Sequence, residues 1–400
     1  MGTDDQSVNW SGYDVTGGPF TSATATWTQP AVKASGDTFS AVGIWVGLDG
    51  DGSGTVEQIG TVAYSEGTVG YAAWYEMYPG YPVTIGMSIH PGDLMTGAVT
   101  WIKPATFILS LVNHTTGRSY QTTQFMSVPP ALASAEVIVE APGAGDRIVP
   151  LADFTLCTFT DCAIDGRPLS AYDWNRIDMV TWKGDLKDRA LALGEDGTSF
   201  SVTTDLIPPQ TTVVGGQVRL AGWHNLPVTM AFKATDNATG VKSTEYSTDA
   251  GATWTTAAAV TVDAPDDHSA DGAHDVLYRS TDNVGNLESD KLVRLRIDTQ
   301  RPTPGGTRDA SVARGQQAPL RYRVDDPRPG SFSATVTILV RNGQGTVVHR
   351  ALLRNRPVNT ALVYRFAAEL PRGRYTYSVK ATDAAGNRQT AVAQDSLVVR

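Results

Sequence analysis

An all-β chain is expected from the sequence: a two-sheet antiparallel β-sandwich over residues 1–206, then two smaller β-sandwich modules at 207–300 and 301–400. Three observations carry that expectation. Short apolar stretches recur between turns rich in Gly, Pro, Asp and Ser, several alternating apolar and polar residues with the period of two that marks a half-buried strand. Only 18% of residues are charged, and long runs of Ala, Leu, Glu and Lys are scarce, which disfavours helix. Finally, the second half holds two echoing segments, YRSTDNVGN (278–286) and VKATDAAGN (379–387), each a strand pattern running into TD-x-x-GN.

Along the first 206 residues the strand candidates are TATATWTQP, AVGIWVGLDG (41–50), YAAWYEMYP (71–79), ATFILSLVN (105–113) and AEVIVEAP (135–142). Turns such as GLDGDGSG and HPGD separate them at intervals suited to an antiparallel sandwich. Short helical stretches are expected only near 150–154 or 170–176. IPPQ at 207–210 reads as a linker, because two prolines enforce extension. The Asp and Gly-Asn of each TD-x-x-GN segment supply turn geometry. Asp236, Asp282 and Asp383 carry oxygens that could ligate calcium, yet turn capping is the expected role and no metal or cofactor is assigned.

Charge divides unevenly. Residues 1–206 carry 9 basic and 23 acidic groups, whereas residues 301–400 carry 16 basic groups, all but one arginine, and 6 acidic ones. The basic end is expected to be a solvated surface, with attachment to an anionic polymer or cell surface as the functional alternative. No nucleic-acid-reading motif accompanies it. No apolar run reaches 18 residues, so no membrane span is expected, and a monomeric chain is assumed. The opening MGTDDQSVNW has neither a basic start nor an apolar stretch, so no leader is read there. Cys157 and Cys162, with four residues between them, could close a small hairpin disulfide, which would fit an exported protein; two reduced core thiols are the alternative.

Several chemistries are excluded for the first 206 residues. Their only histidines, His90 and His114, sit in turns with no nucleophile motif beside them. HExxH, a phosphate-binding loop with its lysine, and paired Asp-Thr/Ser-Gly motifs are absent. What remains is carboxylate and carboxamide chemistry. Alternation along AEVIVE puts Glu136, Ile138 and Glu140 on one face of a strand, and Gln58 shares a face with Val56 and Gly60. Taken alone, such residues usually face solvent, and Trp10, Trp45 and Trp74 would usually be core. A carbohydrate-binding or adhesive sandwich is therefore one reading.

Six segments taken together change the balance: NWSGY (9–13), W-x-QP (27–30), WVGLDG (45–50), EQIGT (57–61), AWYEMYP (73–79) and AEVIVEAP. In this order and at these intervals they resemble the glutamic peptidases, or eqolisins, over about residues 8–205. The resemblance implies a concanavalin-like pair of curved sheets around a substrate cleft, a secreted acid endopeptidase insensitive to pepstatin, and protein or peptide substrates. It implies a catalytic pair of Gln58 and Glu140, with Trp10, Trp45, Asp49 and Glu76 lining or supporting the site. This chain departs from the family where Ala141-Pro142-Gly143 replaces an acidic continuation and where Ala72 replaces an acid. On these lines Glu140 would act as base and then acid at a near-normal pKa, with Gln58 orienting water and holding the oxyanion. The two C-terminal modules resemble the bacterial immunoglobulin-like or fibronectin-like domains appended to exported enzymes.

Overall fold

Strand Ser40–Leu48 shows why the first part of the chain folds as it does. Every one of its nine residues is buried. Its even-numbered residues Ile44, Val46 and Leu48 enter the main core, while Trp45 on the opposite face joins a second apolar cluster with Val56, Ile138 and Ile177. A strand reads as continuously apolar when both of its faces are covered, and this one is. The computed structural model describes residues 2–36, 38–145, 147–214 and 222–400. Its chain divides into two units, Met1–Ile207 with the short loops Asn237–Gly240 and Asn283–Asn286, and the remainder.

In the first unit one sheet runs through Trp174–Val180, Trp10–Thr16, Ser134–Glu140, Ser40–Leu48, Val56–Glu66, Thr68–Tyr78 and Val83–Ile85. The other runs through Arg118–Phe125, Thr106–Asn113, Leu94–Ile102, Ser22–Thr28, Leu156–Ile164 and Phe200–Thr203. Strand Leu186–Ala190 pairs with both and joins them at one edge. Between the layers lies an apolar core that includes Tyr13, Trp27, Ile59, Met95, Phe107, Val137 and Phe159. This is the antiparallel sandwich expected.

Two local expectations need correction. Neither proposed helix forms: among the described residues the one helical element is the three-residue 3-10 turn Leu169–Ala171. Nor do the cysteines close a hairpin. Cys157 and Cys162 lie on one strand, Leu156–Ile164, as two free buried thiols. Five steps along an extended strand separate their Cα atoms by more than ~10 Å, against the ~7 Å that a bridge tolerates. Both point into the core, where burial pushes their thiols far up.

Among the described residues the second unit is built from two repeats of one plan, each with a three-stranded and a five-stranded sheet. The five-stranded sheets have the same order: Trp223–His224, Lys291–Ile297, Gly272–Asp282, Val241–Ser247, Thr255–Thr256 in the first, and Ala310–Val312, Ala393–Val399, Gly373–Asp383, Ser333–Arg341, Val347–Pro357 in the second. Each repeat has its own core, one centred on Met230, Val276 and Leu295, the other on Leu320, Ile338 and Tyr377. The echoing TD-x-x-GN segments end equivalent strands, closed by the matching bridges Thr281–Leu287 and Thr382–Arg388.

Candidate active site

Pairing across the first sheet decides which side chains can meet. Ile138 stands opposite Trp45, Trp45 opposite Gly60, and Gly60 opposite Trp74. One step along, Glu136 is opposite Gly47, Gly47 opposite Gln58, and Gln58 opposite Glu76. At the other end Trp10 is opposite Glu140 and Glu140 opposite Gly43. Directly opposed residues project to the same side. Trp10, Trp45, Gln58, Trp74, Glu76, Glu136 and Glu140 therefore share the face turned away from the main core. Glycines leave the floor between them low. A Cβ on Gly47 would sit 2.9 Å from the Trp45 ring and 3.3 Å from the Gln58 Cβ, so the indole and amide lie where they do because this residue has no side chain.

Glu140 ends its strand and is only partly buried. Its Oε2 accepts a 2.8 Å hydrogen bond from Trp45 Nε1, and its Oε1 accepts one of 3.3 Å from Asn9 Nδ2. Trp10 packs edge-on against Trp45 at 5.1 Å and fixes that indole. Burial pushes the Glu140 carboxyl up to about 7; the Trp45, Trp10 and Asn9 donors pull it down, and repulsion from Glu76 pushes it further up. The near-normal carboxyl expected here is thus corrected, since desolvation outweighs three donors.

Gln58 is 5% exposed and donates from Nε2 to Glu76 Oε2 at 2.7 Å. That bond settles which way the amide points, because an ionised carboxylate can only accept. It leaves Gln58 Oε1 buried without a partner. Glu76 itself is raised by burial and lowered by the Gln58 bond. The site thus offers a raised carboxyl on one side and, on the other, an amide with one acceptor oriented by a second acid.

Of the other residues expected at the site, Trp10 and Trp45 are brought to Glu140. Asp49 is not. It is fully buried, in a left-handed conformation with φ 63°, and its two oxygens accept the backbone N–H groups of Leu132 (2.9 Å) and Ala133 (2.7 Å). It anchors the chain entering Ser134–Glu140 and so positions that strand. Glu136, on the same face as Glu140, is 0% exposed and bonded to the Ser134 hydroxyl, which closes it to substrate. Asn9, inside the NWSGY segment, is a further residue of the site that strand alternation alone does not mark. Further acids lie buried in this unit: Asp14 is raised to about 7, Glu57 to about 8 and Asp188 to about 8, each chiefly by burial.

Comparison with known proteins finds relatives for the first half of the chain. The sequence profile of the Peptidase A4 family matches residues 8–201. Aspergillopepsin-2 of Aspergillus niger is 32% identical over 181 residues, covering 40% of this chain and 64% of that protein. Scytalidopepsin B of Scytalidium lignicola is 32% identical over 206 residues, covering 48% of this chain and 76% of that protein. A crystal structure of scytalido-glutamic peptidase with a transition-state analogue inhibitor is 27% identical, covers 49% of this chain and 98% of its own, and superposes with a TM-score of 0.45.

Proposed function

The chain belongs to the Peptidase A4 family, the glutamic peptidases, and on that premise we propose that it is an acid endopeptidase working through Glu140 and Gln58. The observation carrying this reading is the pairing of a raised, solvent-reaching carboxyl with an amide whose orientation is fixed by Glu76. Ionised Glu140 takes a proton from a water held at Gln58 Oε1, and the water oxygen attacks the peptide carbonyl carbon. The oxyanion so formed accepts a hydrogen bond from Gln58 Nε2. Glu140 then returns its proton to the amide nitrogen as the C–N bond breaks. One group serves as base and acid, and no histidine is required. The buried acids of this unit suit an acidic medium, which argues for work outside the cell. The test is digestion of casein or denatured haemoglobin from pH 2 to 7 with pepstatin present. Pepstatin-resistant cleavage is expected, and its absence at every pH from folded protein would shift the assignment to a glycan-binding or adhesive sandwich.

The raised Glu140 carboxyl also sets the shape of the pH profile. Its base form grows as pH climbs toward about 7, so kcat/KM should rise from pH 3 through mildly acidic values. Trp45→Phe removes the indole donor at Oε2. A donor to the charged form lowers a carboxyl pKa, so its loss moves the rising limb to higher pH. A kcat/KM profile on a quenched-fluorescence peptide measures this; an unmoved limb with reduced amplitude would mean that Trp45 only packs.

A further inference from the structure

The second unit holds a buried cluster that the peptidase reading does not use. Asp298 follows strand Lys291–Ile297, Asp326 follows strand Gln317–Asp325, and Asp383 ends strand Gly373–Asp383. One carboxylate oxygen from each lies within 4.8 Å of the other two. Exposures are 0% for Asp298, 2% for Asp326 and 5% for Asp383. Three carboxylates held this close and this dry repel one another strongly unless something positive sits among them.

Two of the three are held in place by donors. Asp298 Oδ2 accepts the backbone N–H (2.7 Å) and hydroxyl (2.6 Å) of Ser331, and Gln300 N donates to the carboxylate at 3.2 Å. Asp383 Oδ1 accepts Gly386 N (2.7 Å) and Asn387 N (2.8 Å), the turn cap that the sequence suggests. Asn387 Nδ2 then ties Asp383 Oδ2 (2.8 Å) to the Asp298 carbonyl (2.7 Å). Asp326 differs. Asn359 pins its backbone on both sides, through Asp326 N and Asp326 O, yet both carboxylate oxygens are buried with no hydrogen-bond partner. A carboxylate so placed and unsatisfied costs several kcal/mol when ionised. Arg328 is the cation nearby; it donates to the Gly330 carbonyl at 3.0 Å and lies over the Phe332 ring at 4.4 Å.

We propose that Asp298, Asp326 and Asp383 bind a calcium ion at the junction of the two C-terminal modules, with the unsatisfied Asp326 carboxylate as its central ligand. The donor set consists of oxygen alone, which selects a hard cation over zinc or copper. Calcium suits it better than magnesium, which dehydrates reluctantly and demands near-octahedral geometry. Because Asp298 comes from the first module and the other two from the second, the ion ties the modules together. Of the three ligands only Asp383 stands in a motif, TD-x-x-GN, because the ligands come from three separate strand ends.

The test uses the full chain at pH 7.5 after EDTA treatment and dialysis. Calcium at about 5 mM, above the ~0.1–1 mM dissociation constants of extracellular calcium modules, should raise the calorimetric midpoint of the C-terminal unit by ~5 °C or more. Asp326→Asn should bind one calcium fewer per chain by titration calorimetry and lose that shift. In EDTA the same variant should melt no lower than wild type, because the amide removes repulsion; this separates lost metal binding from lost folding. Asp298→Asn serves as a second variant with the same expected loss. Magnesium should give a smaller shift. A wild-type midpoint indifferent to calcium, or equal calcium stoichiometry in wild type and both variants, would overturn the proposal.

Discussion

Glu140→Gln should lower kcat/KM by ~10³-fold or more while leaving the protein folded, since general acid–base groups contribute 10²–10⁴-fold. The amide keeps the shape of the carboxyl and its one oxygen can still accept from Trp45 Nε1, while its NH2 cannot accept from Asn9 Nδ2; it can neither take the proton from water nor return it to the leaving nitrogen. It also removes a carboxyl that burial holds near 7, so the variant should be at least as stable as wild type at neutral pH. That pairing of lost activity with undiminished stability is the signature to look for. Gln58→Ala should cost ~10²–10³-fold, the usual loss for one oxyanion donor, mostly in kcat. Glu76→Ala should produce a smaller loss, because Gln58 keeps its atoms but loses the 2.7 Å bond that orients them. A fully active, folded Glu140→Gln would remove this residue from the mechanism. Comparable activity in Gln58→Ala would leave Glu140 with a different partner.

Much of this arrangement is legible in the residues, and the reasons it is partly hidden are physical. Alternation identifies the strands because pleating puts every second side chain on one face: the stretch 105–113 becomes Thr106–Asn113, and AEVIVE becomes Ser134–Glu140. Alternation does not say whether the polar face meets water. Gln58 and Glu136 would ordinarily be assigned to solvent, yet both are buried, because the second face of the sheet carries an apolar cluster of its own, with Trp45, Val56, Ile138 and Ile177 buried and Trp10 and Trp74 packed against them. Local sequence cannot reveal that second cluster, which depends on five strands arriving side by side. Asp49 shows another limit. It stands in a segment that matches the family, but its role is to hold the backbone at 132–133 through a contact 83 residues away in sequence. The cysteine pair fails for the opposite reason. A four-residue gap is equally suited to a tight turn or to one straight strand, and only tertiary pairing chooses between them.

The catalytic unit should be most stable in acid and weaken steadily from about pH 4 to pH 8. Asp14 is raised to about 7, Glu57 to about 8 and Asp188 to about 8, with burial the leading cause in each. Glu136 is raised well above its ordinary value for the same reason. Glu57 is raised by burial first and then by repulsion from Asp49, which outweigh the one donor beside it, the Thr55 hydroxyl. In the unfolded chain these groups titrate near pH 4. Between pH 4 and 8 the folded state therefore holds protons that the unfolded state has released, and stability falls as pH rises through that window. Below pH 4 both states are protonated and the full contribution is present; above pH 8 both are ionised and the loss is complete. A tenfold weaker acid corresponds to about 1.4 kcal/mol, so even one such group amounts to ~4–6 kcal/mol. That is a large part of the ~5–15 kcal/mol that holds a domain together. The excess of 23 acids over 9 bases in residues 1–206 pushes the same way, because ionised carboxylates repel. Exposed acids with lowered values, such as Asp196, act in the opposite sense but are screened by water. Urea unfolding followed by tryptophan fluorescence reports this unit, which holds seven of the nine tryptophans. The midpoint should drop markedly between pH 4 and 8, and Glu57→Gln should flatten that slope while raising stability at pH 8. A midpoint that climbs with pH would mean that these carboxyls are ionised in the native state, and the acid adaptation argued from their burial would fall with it.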